Sequence, residues 1–412
     1  IPSSGEDVFI DASVSSTINN DLVDVSFNSI TIKASSAPVT VMGTEIASVA
    51  AITVLSTSSA VTFNVPVTFS DAYKVVSNGG AVKFPGGATA TYPDESNRTT
   101  SSTAATRTLD GNFTFTEDWT VGSVGNDNYP WIVATGATVR GKAFTGTEER
   151  QMFQIDEGGY ACFTTVHVGK TKGNISVNGT LEATESISVG VASQHSNFGR
   201  SGDKGTVIAP VIKKVNGYSV YCHIPNFIVG QGGIGAAHKD YVWQFEQDTL
   251  ITASDDFEFL GVYKSAGSDD WCLGFTGKKV TVNVPEGKTV TFGVSVNASA
   301  GVLRKTGAGT LVMTDTYNGN SGFFKNYTGG TIVEEGTLVV RPKGMPTACG
   351  VTFHAGTTLA VSGSEAVSLG TSLAVAGEGK VKVRLGEGLE IADGDYPVAS
   401  ITSTLGLDVS KA

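Results

Sequence analysis

The sequence predicts an all-β protein folded as a β-solenoid, with about 20 to 22 residues in each coil. Three observations predict this fold: helical periodicity is almost absent, short strand-like triplets alternate apolar and small polar residues, and equivalent triplets recur at a fixed spacing. The 412 residues are 40% hydrophobic and only 16% charged, which favours a folded chain over a disordered one.

The strand-like triplets place an apolar residue on either side of a Thr. Each triplet reads inward, outward, inward, which is the pattern of a strand with one buried face. Clusters of Gly, Asn, Ser and Pro separate the triplets, as turns require. Those in the first 70 residues are Ile30–Ile32, Val39–Val41, Ile52–Val54, Val61–Phe63 and Val67–Phe69.

The spacing of the triplets distinguishes a solenoid from other all-β folds. A β-sandwich has strands about 8–12 residues apart without needing a longer period, and a propeller blade takes about 40–45 residues. Here equivalent residues lie 20 to 22 positions apart, so they should be neighbours in consecutive coils. The pairs are Ile30–Ile52, Val39–Val61, Val61–Val82, Leu338–Leu359 and Phe353–Leu373.

Residues 301–340, called the repeat segment below, carry the most specific motif of the chain. Residues 301–313 read GVLRKTGAGTLVM, and residues 326–340 read NYTGGTIVEEGTLVV. The segment closely resembles the autotransporter-associated β-strand repeat, whose blocks run L-x-K-x-G-A-G-T-L and Y-T-G-G-T-x-V-x-x-G-T-L-x-V. Matching positions are Leu303, Lys305, Gly307, Gly309, Thr310, Leu311, Tyr327, Thr328, Gly329, Gly330, Thr331, Val333, Gly336, Thr337, Leu338 and Val340.

This resemblance implies a right-handed parallel β-helix of the kind found in bacterial autotransporter passengers and large surface proteins. The compartment it implies is secreted, extracellular or cell surface. Because the motif carries no catalytic residues, the resemblance implies no reaction. The motif has corner glycines, threonines expected to form outward ladders, and apolar residues expected in the interior. These are Gly307, Gly309, Gly330 and Gly336; Thr310, Thr331 and Thr337; and Leu311, Ile332 and Leu338.

Composition suggests three segments within the solenoid. Residues 1–111 are expected to form N-terminal coils, residues 112–275 central coils with longer loops, and residues 276–412 C-terminal coils that include the repeat segment. All four Trp residues and three of the four Cys residues lie in the central segment, and the alternative is that this segment forms a separate domain.

The charge balance restricts the partners. With 28 Lys and Arg against 39 Asp and Glu, the net charge is −11, and an acidic surface repels nucleic-acid phosphates and anionic lipids. The longest apolar stretch, residues 46–55, is half of the roughly 20 residues that a membrane-spanning helix needs. We therefore expect no nucleic-acid partner and no membrane insertion of this segment.

The best candidates for catalysis are acidic residues near the end of the central segment. Some parallel β-helices are polysaccharide lyases or hydrolases, in which paired carboxylates act as acid and base or bind Ca²⁺ beside a basic residue. Since neighbouring strand residues point to opposite faces, only alternate carboxylates converge, and solvated loop carboxylates are the alternative interpretation. The group is Asp255, Asp256, Glu258, Asp269 and Asp270, with Lys264 and His238 nearby in sequence.

Aromatic residues of the central segment suggest a second kind of site. Exposed rings stack on sugars, so Tyr129, Trp131, Trp243 and Trp271 are candidates for a carbohydrate platform. The alternative, which we favour, is that these side chains pack in the core or cap it.

A glycine motif in the same segment fits the dinucleotide-binding pattern G-x-G-x-x-G through Gly230, Gly232 and Gly235. That pattern binds a cofactor only between a strand and a helix. No helix of useful length is predicted after it, so glycines at a solenoid corner explain it better.

The cysteines predict neither a disulfide scaffold nor a metal site. Cys162, Cys222, Cys272 and Cys349 form no CxxC pair and no Cys–His motif at metal spacing. Buried, apolar-like thiols are the favoured interpretation, and a Cys222–Cys272 disulfide is the alternative. No catalytic, cofactor-binding or metal-ligating residue is assigned.

The sequence therefore predicts a secreted or cell-surface β-helix module with a structural or adhesive role. It is expected to contact carbohydrate or another cell-surface ligand and to have no catalytic activity. The alternative is a β-helix polysaccharide lyase or glycoside hydrolase, which would need two or three carboxylates converging with Lys, Arg or His in a cleft.

Overall fold

A computed structural model describes residues 2–12, 16–34, 37–55, 59–78, 80–94, 107–121, 130–146, 151–169, 174–190, 196–215, 219–236, 243–260, 273–293, 296–313, 324–325, 327–341, 349–361, 367–368, 372–376, 381–385 and 399–400. Over these ranges the chain is all-β, and it divides into two compact units, unit 1 (Ile1–Thr184) and unit 2 (Glu185–Ala412). No helix in the described ranges has the length and apolar character needed to cross a membrane. The composition-based division into three segments stays a prediction.

Unit 1 is built from short strands whose side chains alternate between core and surface. The strands are β1 (Glu6–Ala12), β2 (Thr17–Asn20), β3 (Ser26–Ala34), β4 (Val39–Gly43), β5 (Ile46–Val54), β6 (Val61–Phe63), β7 (Val67–Phe69), β8 (Val75–Ser77), β9 (Val82–Ala90), β10 (Thr108–Phe115), β11 (Trp119–Val121), β12 (Trp131–Val133), β13 (Thr138–Gly146), β14 (Gln151–Ile155), β15 (Tyr160–Val168) and β16 (Asn174–Val177), followed by β17 (Thr180–Val189), which contains the unit boundary.

The strands of unit 1 stack in parallel columns, one strand from each coil. One column runs β2, β4, β6, β9, β10, β12, β14 and β16. The longer strands bend and contribute to two columns, as β5 does by pairing with β7 through its first half and with β8 through its second. Most equivalent residues lie 21 to 23 positions apart, which is the repeat of a parallel β-solenoid.

Unit 2 continues with shorter strands. They are β18 (Ser196–Phe198), β19 (Thr206–Lys214), β20 (Val220–Cys222), β21 (Asn226–Ala236), β22 (Trp243–Phe245), β23 (Thr249–Ala253), β24 (Phe257–Leu260), β25 (Leu273–Gly274), β26 (Lys279–Asn283), β27 (Thr289–Gly293), β28 (Val296–Asn297), β29 (Val302–Thr306), β30 (Thr310–Met313), β31 (Phe324–Lys325), β32 (Thr331–Val333), β33 (Thr337–Val340), β34 (Val351–His354), β35 (Thr358–Val361), β36 (Val367–Ser368), β37 (Leu373–Ala376), β38 (Lys382–Leu385) and β39 (Ala399–Ser400).

Most of the described strands of unit 2 lie in three parallel columns, while β19 pairs with β21 and β36 pairs with β39. The first column is β18, β20, β22, β25, β28 and β31. The second is β23, β26, β29, β32, β34 and β37, and the third is β24, β27, β30, β33, β35 and β38. The β-solenoid predicted from the sequence is therefore confirmed, while its right-handed sense stays a prediction.

The strand register confirms four of the five predicted neighbour pairs. In each, two inward apolar side chains of consecutive coils lie directly opposite each other, so the core is continuous through each column. The confirmed pairs are Ile30–Ile52, Val39–Val61, Val61–Val82 and Leu338–Leu359.

The fifth pair is wrong by two positions. Phe353 lies opposite Val375, and Leu373 lies opposite Val351. The coil takes 22 residues here, and the prediction assumed 20. The shift of two keeps every side chain on its expected face because the period of a strand is two.

Candidate functional site

The repeat segment, which carries the most specific sequence motif of the chain, places a charged side chain in the interior of the solenoid. Its strands β29 and β32 are neighbours in one column, and β30 and β33 are neighbours in another. In β29, Leu303 and Lys305 point inward, and Arg304 points outward between them. Lys305 therefore occupies an inward position, where the alternation of a half-buried strand predicts an apolar residue.

Lys305 is fully buried, and its ammonium binds backbone carbonyls. Nζ donates to the carbonyl oxygens of Thr306 at 2.8 Å, Gly307 at 2.5 Å and Glu335 at 3.1 Å. Burial lowers the pKa of Lys305 to about 8, and the nearby Glu335 carboxylate opposes that shift. Since Glu335 belongs to the next coil, the ammonium ties two consecutive coils together.

Arg304 makes a second link between the same coils. Its Nε and Nη2 atoms donate to the two carboxylate oxygens of Glu334, both at 2.5 Å. The hydrogen bond to Glu334 raises the pKa of Arg304, so the guanidinium keeps its positive charge throughout the ordinary pH range. Glu334 is half-buried because this pairing draws it against the sheet.

Tyr327 supplies a third link, which joins its coil to the preceding one in the interior of the solenoid. Its side chain is fully buried, and its hydroxyl accepts the N–H of Leu303 at 3.0 Å and donates to the carbonyl of Gly330 at 2.5 Å. The Thr331 hydroxyl lies 3.1 Å away from it. Burial raises the pKa of Tyr327, which therefore stays protonated and able to donate.

Two expectations for the repeat segment are wrong at one strand. Thr331 was expected outward and Ile332 inward, but Thr331 is buried and Ile332 is half-exposed. The register explains the inversion, because Thr331 lies opposite inward Leu303 and Ile332 lies opposite outward Arg304. The Tyr327 hydroxyl gives the buried Thr331 hydroxyl a partner.

The other expectations for the repeat segment are confirmed. Leu311 and Leu338 are fully buried, and Thr310 and Thr337 are half-exposed partners on the outer face. Gly336 has a φ of +73°, and a Cβ there would lie 2.4 Å from the carbonyl oxygen of Gly309 in the preceding coil. Glycine is required because the coils approach so closely at this corner.

The acidic group near the end of the central segment is only partly described. Asp255 forms an ion pair with Lys288 at 2.7 Å, and the hydrogen bond from Lys288 lowers the pKa of Asp255. Asp256 accepts the backbone N–H of Thr289 at 2.6 Å, and Glu258 is exposed on the adjoining strand. Asp255 and Asp256 thus bind the next coil where β27 begins, at Lys288 and Thr289 respectively. The remaining members, His238, Lys264, Asp269 and Asp270, lie outside the described residues.

The tryptophans of the proposed platform that the structure describes are in the core. Trp131 is 1% exposed and Trp243 is 2% exposed, so neither can stack on a sugar. The platform is therefore wrong for these two, because large rings fill the wide interior of the coils. Tyr129 and Trp271 lie outside the described residues.

The glycine motif lies in a strand where two coils approach closely, and the described cysteines lie in the core. Gly230, Gly232 and Gly235 lie within β21, and a Cβ at Gly232 would lie 2.4 Å from Cβ of Val211 in the preceding coil. The described cysteines are buried free thiols, and burial raises the pKa of Cys222 to about 12. They are Cys162, Cys222 and Cys349, whereas Cys272 lies outside the described residues. In the described part of the chain, no group of three or more His, Cys, Asp or Glu side chains could hold a metal ion.

Sequence reasoning missed the polar links of the repeat segment. The signal was present in Leu303-Arg304-Lys305, where the inward–outward alternation places a lysine at an interior position. The Arg304–Glu334 pair had no such signal, because the two residues are 30 positions apart and their coil is longer than the predicted period.

The comparisons with known proteins agree with the geometry of this segment. Residues 303–340 match the family described as the passenger-associated-transport-repeat. Searches of curated proteins and of solved structures find no match. The matched residues lie within stacked parallel coils, in β29 to β33, and they include the three polar links described above. The matched repeat and the β-solenoid around it are consistent with an autotransporter passenger-like β-helix.

Proposed function

We propose that this chain is a secreted or cell-surface structural module whose outer faces are adhesive and contact glycans, and that it has no catalytic activity. The observation that carries the proposal is the use made of the polar side chains in the matched repeat. Arg304 and Lys305 each bind a group of the next coil, and Tyr327 binds the backbone N–H of Leu303 in the preceding coil. Such side chains stabilise a stack of coils, which is the requirement of a scaffold exposed outside the cell.

The described carboxylates support the non-catalytic part of the proposal. A lyase or hydrolase needs carboxylates that converge on the substrate with a base or acid nearby. Asp255 and Asp256 instead bind Lys288 and the N–H of Thr289, respectively, and both partners belong to the next coil. An aspartate that holds two coils together is not free to transfer protons in a reaction.

Rows of threonine hydroxyls support the adhesive, glycan-contacting part. In unit 2, Thr289, Thr310, Thr337 and Thr358 lie opposite one another through four consecutive coils. Thr289, Thr310 and Thr337 are half-exposed, so their hydroxyls can meet a ligand. Each hydroxyl can donate and accept hydrogen bonds, as recognition of a polyhydroxylated sugar requires.

Localisation is tested on intact cells that produce the protein. Labelling with a membrane-impermeant amine reagent should modify the chain before lysis, and external protease should degrade it while a cytoplasmic marker stays intact. Modification only after lysis, with no chain in the medium, would contradict the proposal.

Ligand binding and catalysis are tested together with the purified chain. On a glycan array, the Thr310→Val, Thr337→Val double variant should bind less than the unchanged chain, because valine keeps the shape and removes the hydroxyl. The matched control is Thr40→Val, Thr62→Val in an outward row of unit 1. Reducing-end and unsaturated-product assays should detect no cleavage. Cleavage that disappears in the Asp255→Ala, Asp256→Ala variant would show an enzyme instead.

A further inference from the structure

Arg140, on the outer face of unit 1, carries a guanidinium that makes no ion pair within the described part of the chain. It is exposed on β13 and lies over the ring of Tyr160 in the next coil, with Cζ 5.3 Å from the ring centroid. None of its N–H groups donates a hydrogen bond to a described residue. Lys142, two residues further along the same face, does pair, with Nζ 3.1 Å from a carboxylate oxygen of Glu117. Arg140 is therefore a positioned cation whose donors are available to a ligand.

Tyr160 also keeps a neighbouring carboxylate from pairing with Arg140. Its hydroxyl donates to Oε2 of Glu182 at 2.5 Å, and Glu182 lies on β17 of the following coil. Burial and the hydrogen bond to Glu182 raise the pKa of Tyr160, so the hydroxyl stays protonated and continues to donate. The ring of Tyr160 thus orients the guanidinium, while its hydroxyl engages a carboxylate that would otherwise compete for it.

Two threonine hydroxyls on the same outer face are available as well. Thr114 lies opposite Arg140 in the preceding coil, and Thr138 lies two residues before Arg140 in its own strand. Thr114 is exposed and Thr138 is half-exposed, and neither hydroxyl has a hydrogen-bond partner among the described residues. A hydroxyl both donates and accepts, as recognition of sugar hydroxyls requires. The face therefore offers an anion-binding group beside groups that suit a sugar.

The net charge of −11 opposes an acidic ligand mainly at long range. Charges farther apart than about 8 Å are largely screened at physiological ionic strength, so the groups close to the ligand decide binding. Near Arg140, Glu117 is paired with Lys142 and Glu182 accepts the hydrogen bond of Tyr160. A carboxylate brought by a ligand therefore meets an unpaired guanidinium.

We propose that Arg140 is the centre of a binding site for a carboxylate-bearing sugar, such as a uronate or sialate residue of an acidic glycan. The guanidinium donates two parallel hydrogen bonds to the sugar carboxylate, and Thr114 and Thr138 bind hydroxyls of the same glycan. An acidic peptide brings the carboxylate without those hydroxyls, so a glycan is the favoured occupant. The site rests on the glycan contact proposed above and narrows it, on this face, to acidic glycans.

The probes are trigalacturonate, a hyaluronan hexasaccharide and sialyllactose, each immobilised beside its own methyl ester. The ester keeps the sugar and removes the charge. The full chain should bind at least one of the three acids about tenfold more tightly than its ester, because the ester cannot form the charge-assisted pair. Tri-glutamate, an acidic peptide, should bind no better than the esters.

Variants of Arg140 test whether its guanidinium is responsible. Arg140→Gln should reduce binding of the acid to the level of its ester. Arg140→Lys should restore only part of the difference, because an ammonium lacks the planar fork. The matched control Lys213→Gln removes an exposed, unpaired cation from β19 of unit 2 and should bind as the unchanged chain does.

Tyr160 is a positioning residue in this site, and it gives a second readout. Tyr160→Phe keeps the ring and releases Glu182, whose carboxylate then competes for Arg140, so binding of the acid should weaken about threefold. Adding Glu182→Gln to that variant should restore binding. A merely structural role for Tyr160 would give no such rescue.

The outcomes separate this site from the broader glycan contact. Glycan binding with no preference for acids over their esters, an unchanged preference in Arg140→Gln, or an equal loss in Lys213→Gln would overturn the acidic-sugar site and leave the contact at the threonine row of unit 2 standing. Tighter binding of tri-glutamate than of the sugar acids would overturn it in favour of a peptide. No binding of any glycan, acidic or neutral, would overturn both.

Discussion

Two buried tyrosines show how differently the two units treat polar groups in their interiors. Tyr73 of unit 1 is 1% exposed, and its hydroxyl has no hydrogen-bond partner among the described residues. Tyr327 of unit 2 is equally buried, and its hydroxyl contacts Leu303, Gly330 and Thr331. Both tyrosine rings pack on aromatic neighbours, as Tyr327 does on Phe275, but of the two residues Tyr327 alone also uses its hydroxyl in hydrogen bonds.

The surroundings explain the difference. Tyr73 lies among aromatic side chains with ring centroids 5.1 to 6.3 Å away, and the aromatic packing of unit 1 continues to Trp119 and Phe163. In the matched repeat, the stacked pairs Leu311–Leu338 and Met313–Val340 fill the interior between β30 and β33, and polar groups bind the connecting corners. Unit 1 is thus stabilised mainly by ring packing, and the repeat by packing together with specific hydrogen bonds.

The largest effect expected is from Leu338→Asp. Leu338 is fully buried between Leu311 and Leu359, so the substitution places an unpaired carboxylate between two coils. We expect a loss of more than about 4 kcal/mol in the free energy of unfolding, measured by urea denaturation followed by circular dichroism. Val339→Asp on the outer face of the same strand is the control and should cost less than about 1 kcal/mol. Equal losses in the two variants would show that Leu338 and Val339 do not point to opposite faces of this strand.

Lys305→Met tests whether the buried ammonium stabilises the repeat. Methionine leaves three backbone carbonyls without their donor, so we expect a cost of about 2–4 kcal/mol near neutral pH. The pKa of Lys305 is lowered to about 8, below its ordinary value of 10.5, so the unfolded chain binds more protons between these values. This group should therefore make the unchanged chain more stable as the pH rises from about 8 to about 10.5.

The pH dependence is measured as a difference. Denaturation midpoints of the unchanged chain and of Lys305→Met should diverge as the pH rises through that window, because other titrating groups contribute equally to both. A constant difference would mean that the amine keeps its ordinary pKa in the folded state.

Paired tyrosine variants test the opening comparison directly. Tyr327→Phe removes the hydroxyl from three partners and should destabilise the chain by about 1–3 kcal/mol. Tyr73→Phe removes a buried hydroxyl that lacks a partner, so the chain should be unchanged or up to about 1 kcal/mol more stable. Thermal and urea denaturation would give both values, and destabilisation by both variants would show that Tyr73 also needs its hydroxyl.

The sequence was sufficient to predict the coils because a strand and a coil each have a fixed period. Ile30 and Ile52 pair as predicted since both lie in regular strands 22 residues apart. Phe353 was paired wrongly because a period inferred from triplets is uncertain by a residue or two, and only backbone pairing fixes it.

The polar links were harder to predict, since they depend on which coils become neighbours. Lys305 could have been recognised as an interior lysine, but its acceptors are backbone carbonyls, which every residue has. Trp131 and Trp243 were ambiguous for a similar reason, because a large aromatic residue suits both a sugar platform and a wide core. Only the burial of Trp131 and Trp243 in the structure distinguishes a core position from a sugar platform.

Among the polar links of the repeat, the smallest effect is expected at Glu334, which makes the most exposed link. Glu334→Ala removes both hydrogen bonds to Arg304, whose side chain is 37% exposed, so solvent screening limits the loss to about 0.5–1 kcal/mol. Salt should reduce the difference between this variant and the unchanged chain, because the lost interaction is between charges. Glu117→Ala, which breaks the more exposed pair with Lys142 in unit 1, should cost less in the same urea titrations. A larger cost at Glu117 would contradict the view that hydrogen-bonded links matter more in the repeat than in the aromatic coils of unit 1.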